Sequence, residues 1–221
     1  MSPLKGIRIT GAILLLFTII LLWILPRKGE VSLPKGFHTP IVALELVQDN
    51  HELGMLFADA KIRNRFYKGN ILDFAFIITY SLFLAFLILQ FSARENLSKR
   101  LKSAALLFIA FTAFSDVMEN LTLFSMSDQF AVQGFAGKDL FYKLHLWTLL
   151  KWESLGIVCL IISTALYSGK RKAAAFLFLI VFLMAVLGLI SRIFVDYEGL
   201  VLGIAFIVAW IKSLPHSRAW W

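Results

Sequence analysis

Residues 103–124 read SAALLFIAFTAFSDVMENLTLF, an apolar stretch that carries Asp116, Glu119 and Asn120. A helix crosses the hydrocarbon core of a bilayer in about 20 apolar residues, so this stretch has the length of a membrane span. The spacing i, i+3, i+4 puts the three polar side chains on one helical face. A carboxylate costs roughly 2.5–3.5 kcal/mol at a bilayer centre on insertion scales. Two on one helix imply a buried partner or a water-filled cavity, and this face is the leading candidate for function.

The rest of the chain agrees with a membrane setting. Mean hydropathy is +0.79, and 59% of the 221 residues are hydrophobic against 16% charged. Soluble domains average about 45–50% apolar. Five more apolar runs stand beside the first: 9–25, 71–91, 144–167, 173–195 and 199–214. The fold class expected is therefore all-α, one integral membrane domain over 1–221, a bundle of about six transmembrane helices. Lys5 and Arg8 ahead of the 9–25 run also suit a secretory signal peptide, but Pro26-Arg27-Lys28 follows in place of a small-residue cleavage site, which favours an uncleaved anchor. The turn between the last two spans is placed at Asp196-Tyr197-Glu198-Gly199.

The net charge of +8 lies in short clusters between apolar runs. That is a topology signal plus attraction to anionic lipid, and nucleic acid is not an expected partner. Arg94, Lys99, Arg100 and Lys102 fall in one loop, Lys170, Arg171 and Lys172 in another, and Lys212 and Arg218 in the tail. All fall on one side if both termini are cytoplasmic, which is the orientation expected, in the cell membrane. Residues 27–70 then form an external segment, although they include Arg63, Arg65 and Lys68. Within it, Asp49 and Glu52 read as a capping box opening a helix over 49–62. Leu53, Leu56, Phe57 and Ala60 make an apolar stripe that would cover the bundle mouth.

That topology brings the candidate ligand-binding residues to one side: Glu45 in an apolar run, Asp73 and Tyr80 on one face of the second span, Asp116, Glu119 and Asn120, then His145 and Lys151 on the fourth. Arg192 joins them. Each has a plainer reading. The acids can simply pair with Lys151 or Arg192 and hold the bundle together. Asp73 can be a helix N-cap, Tyr80 a packed aromatic and His145 an interfacial residue without a second histidine to form a metal site. Gly199-x-x-x-Gly203 reads as a close helix–helix approach, and Trp210, Trp220 and Trp221 as interfacial anchors.

Catalytic and cofactor signatures are missing: there is no H-E-x-x-H, cysteine pair, P-loop, G-x-S-x-G or G-x-G-x-x-G. No metal is expected, no cofactor or catalytic residue is assigned, and the lone Cys159 excludes an intrachain disulfide. The order of Glu45, Asp73-Phe74, Asp116-x-x-Glu119-Asn120 and Lys151 resembles a group of uncharacterised bacterial multi-pass membrane proteins over roughly residues 40–155. The resemblance implies a membrane bundle with a shared polar site and no particular reaction. Three function classes follow. The one taken forward binds or transports a small polar or amphiphilic ligand through an outward-facing polar pocket built by spans two, three and four. The others are a lipid-acting enzyme, with Asp116 or Glu119 as general base and Lys151 as electrostatic stabiliser, and a structural or partner-binding protein with internal charge pairs. Membrane lipid is the expected surrounding partner, and the sequence carries no signal for oligomeric state.

Overall fold

In a computed structural model, described for residues 1–57, 59–95 and 97–215, the chain is all-α. Among these residues eight helices form: α1 Pro3–Ile24, α2 Pro40–Glu45, α3 Asn50–Phe57, α4 Ala60–Arg94, α5 Lys99–Gln133, α6 Lys138–Ser168, α7 Lys172–Gly188 and α8 Ile193–Ser213. Five of them, α1, α4, α5, α6 and α8, are long and apolar enough to cross a membrane, and the apolar α7 is shorter at 17 residues. The protein is a multi-pass membrane protein. Trp220, Trp221 and Arg218 lie outside the described residues.

The burial pattern of α5 shows why the sequence folds this way. Ala105, Ile109, Thr112, Asp116, Glu119 and Leu123 recur at helical spacing and are buried. Leu107, Phe114 and Leu121 on the other face are exposed. A bilayer rewards an apolar exterior, so polar side chains are turned toward neighbouring helices, where they find partners. At 35 residues and ~1.5 Å per residue, α5 is longer than the ~30 Å core requires. It starts at a Ser98 cap and stops at Gly134, whose φ of 78° is the left-handed geometry that ends helices.

The helices pack in chain order, α4 on α5, α5 on α6, α6 on α7 and α7 on α8, and α1 closes the bundle against α4 and α8. One end is clasped tightly. There Arg8 Nε donates to the Ser213 carbonyl at 2.5 Å, and Trp210 Nε1 donates to the Arg8 carbonyl at 3.1 Å. Trp210 is thus a clasp over the glycine face of α1, where its ring leaves no room for a Cβ at Gly11. The Arg171–Glu95 ion pair, at 2.8 Å, ties the α6–α7 loop to the α4–α5 loop.

Three local expectations are corrected. The 49–62 helix is two helices. Glu52 N donates to Asp49 Oδ1 at 2.8 Å as the capping box requires, but α3 ends at Phe57 and a second cap, Asp59, accepts from Lys61 N at 2.6 Å and opens α4. Ala60 leaves the buried stripe and is exposed. Asp73 is no N-cap, because α4 begins thirteen residues earlier at Ala60. The last turn falls between Gly188 and Ile193, so Asp196 and Glu198 are inside α8 and buried. Charge marked them as loop residues, but Asp196 has a tertiary role: its Oδ2 accepts from His38 N at 2.6 Å and Thr39 N at 3.2 Å.

Candidate functional site

Short α2 is set in place by four side chains, which positions Glu45. Asp196 holds the two residues before it, and Arg192 Nη1 donates to the Leu46 carbonyl at 2.8 Å just after it. From α6, Thr148 Oγ1 donates to the Glu45 carbonyl at 3.1 Å, and His145 Nε2 lies 2.8 Å from the Val47 carbonyl. Arg192 also grips Glu52 of α3 at 2.5 Å. That contact holds the Glu52 carboxyl below the usual glutamate range, against the smaller opposing effect of burial. His145 of α6 and Arg192, the residue just before α8, therefore position the α2–α3 segment.

Glu45 meets Lys151, around which the charged cluster is organised. The ammonium lies 2.5 Å from Glu119 Oε1, 3.0 Å from Glu45 Oε2 and 3.4 Å from Asp116 Oδ1. All four residues are buried, Lys151 with 6% exposure. Further neutral donors complete the set. Tyr80 OH donates to Asp116 Oδ2 at 2.8 Å, Trp152 Nε1 to Glu45 Oε2 at 3.2 Å, and Asn120 Nδ2 to Asp73 Oδ2 at 2.7 Å. Behind Lys151, Thr112 and Ser154 hydroxyls share a 2.7 Å hydrogen bond between α5 and α6. Five of the eight residues singled out from the sequence, Glu45, Tyr80, Asp116, Glu119 and Lys151, thus form one network, and Asp73 and Asn120 form a separate hydrogen-bonded pair that lines the same cavity. His145 stands apart from both, on the backbone of Val47.

A cavity of about 330 Å³ adjoins this network, within the ~300–1,000 Å³ span of small-molecule sites. Its polar lining includes Glu45, Asn70, Asp73, Asp116, Asn120 and Lys151. Its apolar lining comes largely from α1 and α8, including Leu14, Leu22, Leu202, Phe206 and Ile207. Leu22, Gly203 and Ile207 of this lining are exposed, so the cavity is open to the surroundings where α1 and α8 supply its wall. Glu119 lies behind this wall with 1% exposure, and its Oε2 accepts nothing among the described residues.

The sequence reading missed the parts without charge. Spans two, three and four supply the polar side, but α1 and α8 supply the long apolar wall. Gly199 and Gly203 do not bring two helix backbones together. A Cβ at Gly199 would meet the Trp152 ring at 3.3 Å, and one at Gly203 would meet nothing within 4 Å. Asn70 was missed as well, although its i, i+3 relation to Asp73 signals a shared face. It is 4% exposed, lines the cavity and makes no hydrogen bond to a described residue. Glu198, fully buried with both carboxyl oxygens unpartnered among the described residues, sits beside Gly156 of α6 and is not part of the cavity lining.

No known protein family, curated protein or solved structure matches the chain.

Proposed function

We propose that this protein binds an amphiphile taken from the bilayer, with the polar head held at the cavity end lined by Asp73, Asp116 and Lys151 and the apolar chain laid between α1 and α8. The observation that carries the reading is the continuity of one cavity from buried carboxylates to exposed, apolar Leu22 and Ile207. A purely structural charge cluster needs no such space beside it. The general-base reading has less support: Asp116 spends one oxygen on Tyr80 and the other on Lys151, and Glu119 is outside the cavity lining. Orientation is part of the proposal. The Glu95–Arg171 pair and the Arg8–Ser213 contact gather basic loops and clasped termini, which supports a cytoplasmic placement of that end and an outer-leaflet placement of the polar head.

The test uses the open space at Gly203. Gly203 lines the cavity and a Cβ there meets nothing within 4 Å, so Gly203→Trp puts bulk at the cavity wall without a backbone clash, and it replaces a helix-interior glycine, which favours the helix. Extracts of purified wild-type protein analysed by mass spectrometry should yield an amphiphile in about one-to-one amount, and Gly203→Trp should lose it. Equal recovery from both would overturn the reading.

A further inference from the structure

The donor and acceptor inventory around the cavity is lopsided. Among the described residues three carboxylates, Glu45, Asp116 and Glu119, share one ammonium, Lys151, and a fourth, Asp73, is met by the neutral Asn120 amide. Tyrosine and tryptophan side chains each have one donor and lysine has three. Those of Tyr80, Trp152 and Lys151 are already directed at these carboxylates. What faces the cavity is acceptor capacity. Asp73 receives its one described hydrogen bond on Oδ2, leaving Oδ1, and Glu45 receives Lys151 and Trp152 on Oε2, leaving Oε1. Beside them stands Asn70, buried, aimed into the cavity and without a hydrogen bond among the described residues. This amide has its hydrogen-bonding capacity open to a ligand in the cavity, and it is independent of the charged cluster.

Building on the amphiphile-binding reading, we infer that the head recognised here is a hydrogen-bond-donating cation, a primary or secondary ammonium on a long apolar chain, seated between Asp73, Glu45 and Asn70. Its N–H groups go to the Asp73 and Glu45 carboxylates and to the Asn70 side-chain carbonyl. Its charge offsets the carboxylate excess, which a low-dielectric site makes costly to leave uncompensated. An anionic phosphate head meets like charge and few free donors there and is excluded. A metal ion is a poorer match, because among the described residues no group of three or more acids, histidines or cysteines is arranged to hold one. The remaining wall fits the chain: Leu14, Leu202 and Phe206 continue the cavity away from the polar end, toward Trp210.

The full chain in phosphatidylcholine nanodiscs tests this, loaded with equal mole fractions of n-dodecylamine, n-dodecanol and n-dodecyl phosphate, with occupancy read by native mass spectrometry. Dodecylamine should exceed dodecanol by at least about tenfold, the discrimination one charge-assisted hydrogen bond supplies, and dodecyl phosphate should fall below dodecanol. Asp73→Asn, which keeps the shape and removes the charge, should cut the amine preference about tenfold. Asn70→Leu should lower amine occupancy without raising that of phosphate. Dodecyl phosphate or dodecanol bound as well as the amine, yet lost in Gly203→Trp, would overturn the ammonium head and leave the cavity reading standing. Binding of every probe unaffected by Gly203→Trp would overturn both.

Discussion

Replacing Lys151 by methionine removes the one cation in direct contact with Glu45, Asp116 and Glu119 while keeping most of the side-chain volume. The three carboxylates then lie buried with Tyr80 and Trp152 as remaining donors. Removing one partner of a buried pair costs roughly 3–5 kcal/mol because the other charge is left uncompensated. For a chain of this length, at about 2–4 °C per kcal/mol, that is a fall of roughly 6–20 °C in Tm. Glu119→Gln alone should cost less, since Lys151 keeps Glu45 and Asp116. The double variant Glu119→Gln/Lys151→Met should be more stable than the sum of the singles predicts, with a coupling of about 0.5–3 kcal/mol. Lys143→Met is the control: its partner Asp139 is 3.5 Å away and both side chains are exposed, so its effect should stay within about 0.5 kcal/mol. Thermal unfolding of the four variants in one detergent, followed by tryptophan fluorescence, gives the cycle. A loss under about 1 kcal/mol for Lys151→Met, or strict additivity in the double variant, would refute the buried network.

Three further outcomes follow from the fold. Gly11→Val should destabilise by about 1–3 kcal/mol through overpacking against Trp210, measured by the same melts, and a neutral result would contradict the α1–α8 clasp. Because Arg192 holds the Glu52 carboxyl below its usual range, that pair's stabilisation is present above the unfolded glutamate value and is lost as pH falls through the lower folded one. Tm followed toward acid pH should show this loss in the wild type and a reduced slope in Glu52→Gln, and identical slopes would contradict the contact. Membrane-impermeant thiol labelling in intact cells should fail at cysteines placed at exposed Ser98 and Ser168 and succeed at exposed Gln133, with native Cys159 buried and silent. Labelling at Ser98 would reverse the orientation.

The helices were legible because bilayer thickness imposes a length on apolar runs. The 71–91, 103–124 and 144–167 runs all fall inside long helices, α4, α5 and α6. The polar network was legible for a related reason: charge inside such a run has to meet a partner, and depth alone brought Lys151 level with Asp116 and Glu119. The remainder was hidden where the physics is tertiary. Asp196 and Glu198 look like turn residues until the backbone N–H groups of His38 and Thr39 supply a partner for Asp196. Leu189 and Ile190 look like span residues, yet they sit in the exposed turn after α7. The cavity wall gives no sequence signal at all, since Leu14 or Phe206 facing a void reads the same as one facing a helix.

A map of the wild-type protein in lipid nanodiscs, determined by electron cryo-microscopy, tests the amphiphile site most directly. The account predicts elongated density in the cavity, its polar end within hydrogen-bond reach of Asp73 and Asn70 and its tail between Leu22 and Ile207. A cavity closed by direct packing of α1 on α8, with Asn70 paired to protein and the Lys151 network dry and self-contained, would contradict it.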